Sequence, residues 1–173
     1  MSRILFAWEL GGGYGHTSRF LPIGLKLRDR NHEVIFVLKD LSHAEMILGR
    51  HGFSFLQAPI WLPKMTGLSN PPLNYPEILL RFGFHNKETL ASMVKAWRQL
   101  FALVRPDLLI LDHAPTALLA SYGGKIPRTI IGSGFSSPPR ITPMPNMRAW
   151  QKSESSQISS SAMPEMGSPR QRY

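Results

Sequence analysis

Short apolar runs alternate along this chain with segments whose apolar side chains recur every three or four positions. The apolar or β-branched runs, each of which predicts a strand, are residues 4–9, 33–38, 53–57, 107–111 and 129–131. The first two are predicted to be buried. Helical spacing predicts helices in residues 20–27, 90–104 and 116–121. Because strands and helices alternate, the pattern predicts an α/β fold: a Rossmann-like parallel sheet with helices on both faces.

Three segments depart from this alternation. Ser42 and Glu45 have the S-x-x-E spacing of a capping box, which predicts a short helix after the second strand. Residues 59–76 are rich in Pro, Gly and Asn and show neither period, so they predict a long loop, of a length that is commonly functional or disordered. Residues 151–173 contain seven serines and little apolar content. We therefore expect a domain of residues 1–148 and a disordered polar tail of residues 149–173.

Composition narrows the classes of function. The 173 residues include no cysteine, which excludes disulfides, thiol nucleophiles and thiolate metal sites, and the histidines lack the spacing of a zinc helix, so we expect no metal. No apolar stretch is long enough to span a membrane. The net charge is +9, but Lys and Arg are scattered singly, so we expect no nucleic-acid partner. We expect a cytoplasmic protein. Its positive charge leaves open the alternative that it attaches to an anionic membrane surface.

A glycine cluster, residues 11–15, lies between the first predicted strand and the first helix. Glycines there let the backbone turn sharply and approach a ligand, and the start of a helix favours an anion. The cluster does not match the NAD fingerprint, since His16 stands where the third glycine would be, and the chain has no P-loop. A histidine at the mouth of a parallel sheet can act as a general base. General-base catalysis and a nucleotide- or phosphate-binding module without catalysis both remain open.

The segment Gly13-Tyr14-Gly15-His16, with the helix and strand that follow it, resembles the start of GT-B glycosyltransferases. The likeness is to the UDP-glycosyltransferases and their relatives that glycosylate lipids and natural products. Residues 105–112 are similar to the strand that delivers the second catalytic residue of that family, and residues 132–139 to the segment after its fifth strand. The resemblance covers residues 3–148 and implies a single GT-B N-terminal half.

The resemblance implies a division of labour between residues. In that family the N-terminal domain binds the acceptor, a loop-borne histidine deprotonates its hydroxyl, and an aspartate from a later strand orients the histidine. By position, His16 would be the base and Asp112 its partner, with His113 as a less favoured substitute. A carboxylate on one imidazole nitrogen raises the basicity of the other. We therefore predict a hydrogen-bonded pair of His16 and Asp112, against the alternative that Asp112 is only a turn or cap residue.

Substrate contacts are expected around the same crevice, with residues 59–76 as a flanking acceptor loop. The residues expected to bind substrate are Gly13, Gly15, Thr17, Arg19, Trp61 and Phe135. The resemblance implies a small-molecule or lipid acceptor and no cofactor, because the nucleotide sugar, in most members a UDP-sugar, is a substrate held by a C-terminal domain. Residues 151–173 are too few and too polar to supply such a domain. We expect a truncated or frameshifted copy of a longer enzyme, inactive alone, or a chain whose donor domain is a separate polypeptide.

Overall fold

The computed structural model describes residues 1–133 and 137–150. Its centre is a parallel sheet in the order β3-β2-β1-β4-β5. The strands are β1 Arg3–Trp8, β2 Glu33–Leu38, β3 Ser54–Gln57, β4 Leu108–Asp112 and β5 Arg128–Ile131. Each lies within one residue of the bounds that the apolar runs predict, so the Rossmann-like parallel sheet is confirmed.

Five α-helices connect or flank these strands in the described part of the chain. They are α1 Gly15–Arg28, α2 Ala44–Ile47, α3 Tyr75–Leu79, α4 Lys87–Val104 and α5 Pro115–Ala120. A 3₁₀ turn, Gly49–His51, follows α2, and a π-helical turn, Leu80–Phe84, follows α3. No helix within these described residues has the length and apolar character needed to cross a membrane.

Both faces of the sheet are covered, as the uninterrupted apolar character of β1 requires. Leu5 and Ala7 belong to a core shared with α4 and α5. Phe6 and Trp8 point the other way, into a core with Phe20 of α1 and with Phe36 and Leu38 of β2. The alternation along one strand therefore assigns α1 and α2 to one face and α4 and α5 to the other, which confirms helices on both faces.

The centre of the sheet is a topological switch point. β1 pairs with β2 on one side and β4 on the other, and the loops after β1 and β4 lead into helices on opposite faces. The register places Trp8 opposite Asp112, so the two loops start at the same height. A crevice opens between such diverging loops at the carboxyl ends of parallel strands, where ligands of doubly wound sheets bind.

Two local predictions were wrong. The capping box is absent, because the N–H and hydroxyl of Ser42 both donate to Asp40 Oδ1, at 2.8 and 2.5 Å, and α2 begins without a side-chain cap. A local turn bond of this kind competes with a helix cap for the same serine. The predicted loop of residues 59–76 also ends two residues early, since α3 begins at Tyr75, capped by Asn74, which accepts from the Glu77 N–H at 3.0 Å.

Two predicted segments fall outside the described residues. Residues 134–136 include Phe135, and residues 151–173 make up almost all of the predicted polar tail. The predicted disorder of that tail, and the expectation of a truncated enzyme, stay predictions.

Candidate active site

His16 and Asp112 form a hydrogen-bonded pair at the carboxyl edge of the sheet. His16 lies in the first turn of α1, and Asp112 is the last residue of β4. Imidazole Nδ1 lies 2.9 Å from carboxylate Oδ2, within the range of a charge-assisted hydrogen bond. The Asp112 side chain is fully buried, whereas 18% of the His16 side chain is exposed. The predicted contact is therefore confirmed, and it leaves the other nitrogen of His16, Nε2, on the side away from Asp112.

The ring of His16 is held in place by its neighbours. It stacks on the indole of Trp8, with the ring centroids 4.9 Å apart and an interplanar angle of 18°. On its other edge, Gly11 approaches so closely that a Cβ there would lie 2.9 Å from Nε2. Gly11 also has a φ of +88°, a conformation that side-chain-bearing residues rarely adopt. Only glycine therefore leaves Nε2 accessible at this turn.

Arg19, which was expected to bind substrate, forms a hydrogen bond with Asp112. Its guanidinium Nη1 donates to Asp112 Oδ2 at 3.1 Å, one turn of α1 beyond His16. The other oxygen, Oδ1, is buried and accepts no hydrogen bond from the residues that the structure describes. Because 46% of the Arg19 side chain is exposed, this cation compensates the buried carboxylate from the rim of the site.

The glycine loop itself is mostly open to solvent. Gly13 and Gly15 are exposed, and α1 begins at Gly15 without a side-chain cap. Thr17 is 4% exposed, and it lines a small pocket with Trp8, Gly13 and Tyr14. The loop thus presents the free N–H groups of a helix start beside His16, an arrangement that favours a polar or anionic group.

Glu9 is a buried acid that the sequence analysis did not select. It follows β1 directly, is 3% exposed, and accepts hydrogen bonds from the N–H groups of Thr116 at 2.9 Å and Ala117 at 3.3 Å. Burial raises the pKa of Glu9 to about 7, against the opposing effect of the hydrogen bonds from Thr116 and Ala117. Only the position of Glu9 in the sequence could have indicated its role, because an acid that directly follows an apolar strand lies at the edge of the sheet where ligands bind.

His113 and Tyr75 extend the site toward the far side of the crevice. The His113 ring lies 6.3 Å from that of His16 and 6.0 Å from that of Tyr75, centroid to centroid. Burial, followed by the charge on His16, lowers the pKa of His113 to about 4, so His113 is neutral at pH 7. Burial and the neighbouring Glu9 raise the pKa of Tyr75 to about 12. Asp112 is the residue whose side chain is hydrogen-bonded to Nδ1 of His16.

An open cleft of about 300 Å³ begins at these two side chains. Its walls are largely apolar, with one cation at Arg140, and the residues that line it besides Tyr75 and His113 include Leu111, Ala114, Pro115, Leu118, Ile130 and Pro138. A mostly apolar concave surface with a few polar groups at one end is typical of small-molecule sites.

Trp61 lies at the same edge but not in this cleft. It lines a separate cavity with Glu9, Lys39 and Phe82, and its ring packs against Gly83. The segment of residues 59–76 therefore borders the crevice, as predicted, with Trp61 near Glu9. Phe135, the remaining expected substrate contact, lies outside the described residues. In the parts that are described, no three His, Asp or Glu side chains come together as a metal site.

Several solved structures with a similar fold are glycosyltransferases. The kitacinnamycin glycosyltransferase aligns with a TM-score of 0.52 at 19% identity, over 75% of this chain and 30% of its own. SsfS6 of Streptomyces sp. SF2575 gives a TM-score of 0.52 at 19% identity, over 75% and 39%. MurG of Acinetobacter baumannii gives 0.52 at 14% identity, over 75% and 35%. The chain thus has a GT-B glycosyltransferase-like fold and spans about a third of the length of these proteins. Neither a family model nor a curated protein matches it.

Proposed function

We propose that this chain is the acceptor-binding half of a glycosyltransferase and that His16 is its general base. The observation that supports the proposal is the His16–Asp112 pair at the switch point of the sheet. Asp112 holds Nδ1 as the protonated nitrogen, so Nε2 carries the lone pair that a base needs. The GT-B-like fold supports the same class of reaction.

In the proposed reaction, an acceptor hydroxyl lies against Nε2 beside Gly11. Its oxygen attacks the anomeric carbon of a nucleotide sugar while Nε2 takes the hydroxyl proton, and the nucleoside diphosphate leaves from the opposite face, with inversion. The imidazolium that forms is stabilised by the carboxylate of Asp112. We propose that the donor, a UDP-sugar in the simplest case, is held by a second domain or a second chain.

The cleft next to His113 is the proposed acceptor site. Its apolar walls suit a hydrophobic small molecule or a lipid whose hydroxyl is directed toward His16, one ring beyond His113. Because the rings of Tyr75 and His113 are both uncharged at neutral pH, they can exchange neutral hydrogen bonds with an acceptor. The net charge of +9 would further favour an acceptor presented at an anionic membrane surface.

Acceptor binding by the isolated chain tests this proposal. A panel of hydroxylated aromatic and lipid-like compounds is titrated into isotope-labelled protein, with the amide and imidazole resonances followed by NMR. We expect binders to shift the resonances of His113, Leu118 and His16 together. Ser137→Trp, at the exposed mouth of the cleft, should abolish these shifts, whereas Ser92→Trp, exposed on α4, should retain them.

Two results would sink the proposal. One is a panel in which no compound shifts the cleft resonances. The other is tight binding of NAD or a UDP-sugar by this chain alone at the glycine loop, which would favour a nucleotide-binding module without catalysis.

A further inference from the structure

The turn that carries Asp112 is tied to the end of β1 at two points. The N–H of Leu10 donates to the carbonyl oxygen of His113 at 2.9 Å. Immediately beyond, the carboxylate of Glu9 accepts from the N–H groups of Thr116 and Ala117, at the start of α5. The two ties flank the same few residues, and both come from the segment that leads into the glycine loop of His16.

This turn needs external support. His113 has a φ of +48°, a left-handed backbone conformation that is unfavourable for a residue with a side chain. Such a conformation persists only where the surrounding contacts impose it. A shift of the turn would move Asp112, whose single partnered oxygen, Oδ2, serves both His16 and Arg19.

We infer that Glu9 is a positioning residue, which fixes the turn between β4 and α5 so that the carboxylate of Asp112 meets Nδ1 of His16. This inference rests on the proposed function, in which that contact sets the reactive nitrogen of His16. Glu9 is not among the residues that line the proposed acceptor cleft, and its hydrogen bonds go to the backbone of α5, through which it acts.

The surroundings of Glu9 suit a fixed anchor. Charged and titratable groups face it from the neighbouring elements: Tyr75 from α3 and Lys39 after β2. Lys39 is itself engaged with the glycine loop, since its Nζ donates to the carbonyl oxygen of Gly11 at 2.5 Å. Glu9 is thus left with two backbone N–H donors that cannot rotate away, in contrast to the side-chain partners of Asp112.

The test measures the tautomer of His16 in the full chain, without any substrate. Imidazole ¹⁵N shifts at pH 8 give the ratio of the Nδ1–H to the Nε2–H tautomer in wild type, Glu9→Ala and Glu9→Gln. Loss of hydrogen bonds to a charged group in Glu9→Ala should lower the ratio about tenfold. Glu9→Gln keeps an acceptor oxygen and should restore most of it. Val104→Ala, a cavity in the same core on α4, controls for general loss of stability.

The inference is overturned if Glu9→Ala leaves the ratio unchanged, or if Val104→Ala lowers it as much. Should Glu9→Ala not fold, Glu9→Asp shortens the anchor by one methylene, and an unchanged ratio there overturns the inference equally. Because no substrate is present, the tautomer reports on positioning alone. Failure of acceptor binding, measured separately, would count against the proposed function instead.

Discussion

Two buried carboxylates lie at the carboxyl edge of the sheet, and they are compensated in different ways. Asp112 is fully buried and interacts with two side chains, the imidazole of His16 and the guanidinium of Arg19. Glu9 is 3% exposed and accepts from two backbone N–H groups. Asp112 is paired with side chains that reach the solvent, one of which can gain or lose a proton. Glu9 is paired with buried backbone N–H groups that do not titrate.

This difference suits Asp112 to a role in proton transfer and Glu9 to a role in holding the backbone in place. Side-chain partners such as His16 can gain or lose a proton while they keep their contact, which is what a base and its orienting acid require. Backbone N–H groups have no such freedom, so the acid they hold fixes the chain and becomes ionised only near neutral pH, because burial outweighs their stabilisation. Two acids within one crevice can therefore serve different purposes.

The largest expected effect is on glycosyl transfer. His16→Ala and Asp112→Asn should each lower the rate about 10²- to 10⁴-fold, because one removes the base and the other removes the anion that orients it. The assay supplies the donor-binding half on the same or a separate chain. Glu88→Gln, exposed on α4, is the control and should keep the wild-type rate. Rates within about threefold of wild type for both variants would rule out the general-base role.

Glu9 should make a large contribution to the pH dependence of stability, opposite in direction to that of His113, whose pKa is lowered from 6.5 to about 4. The pKa of Glu9 is raised from 4.5 to about 7 in the folded state, so the protonated form favours folding. Its contribution is therefore complete below about pH 4.5 and is lost as the pH rises through 7, a change of about 3 kcal/mol. Urea unfolding of wild type and Glu9→Gln from pH 4 to 8 measures it, because the variant lacks this titration. A stability difference between the two that does not vary with pH would contradict the raised pKa.

Gly11→Ala should disturb the imidazole of His16, which is the hydrogen-bond partner of Asp112. The substitution adds about 1–3 kcal/mol of backbone strain at a φ of +88° and places a methyl group against His16 Nε2. Gly123→Ala is a matched control, because Gly123 has a φ of +77° with no atom within 4 Å of the added Cβ. We expect both variants to lose stability in urea unfolding, and only Gly11→Ala to change the ring resonances of His16. Equal effects on those resonances would mean that Gly11 does not control access to Nε2.

Arg19→Gln should have the smallest effect. Nearly half of the Arg19 side chain is exposed, so its contact with Asp112 is screened and its loss should cost about 1 kcal/mol or less. Unfolding in urea at low and high salt measures this, with Lys95→Gln on the exposed face of α4 as the control. If Arg19→Gln lowers the free energy of unfolding by well above about 2 kcal/mol at both salt concentrations, then Arg19 is an essential counter-ion of the buried Asp112 carboxylate.

Most of the fold could be predicted from the local pattern of apolar and polar residues. The central strands β1, β2 and β4 were predictable because each is an apolar run that both faces of a parallel sheet require. The edge strands β3 and β5 are partly exposed and were predictable from shorter runs. The contact between His16 and Asp112 was predictable as well, because each follows a strand and because of the resemblance to GT-B enzymes. The short helix α3 was not predicted, because the Pro and Asn residues around its start are typical of a loop. Asn74 is nevertheless a common type of N-cap residue.

The sequence by itself determined which segments form strands and helices and which polar residues end up near the ligand edge. Only the tertiary structure decided which of them meet. The left-handed turn at His113 left Asp112 as the partner of His16, the strand pairing brought Trp8 opposite Asp112, and the packing of α5 against β1 placed its N–H groups on Glu9. The physical reason is range: strand and helix preferences depend on neighbours a few positions away, whereas these contacts join residues about 100 positions apart.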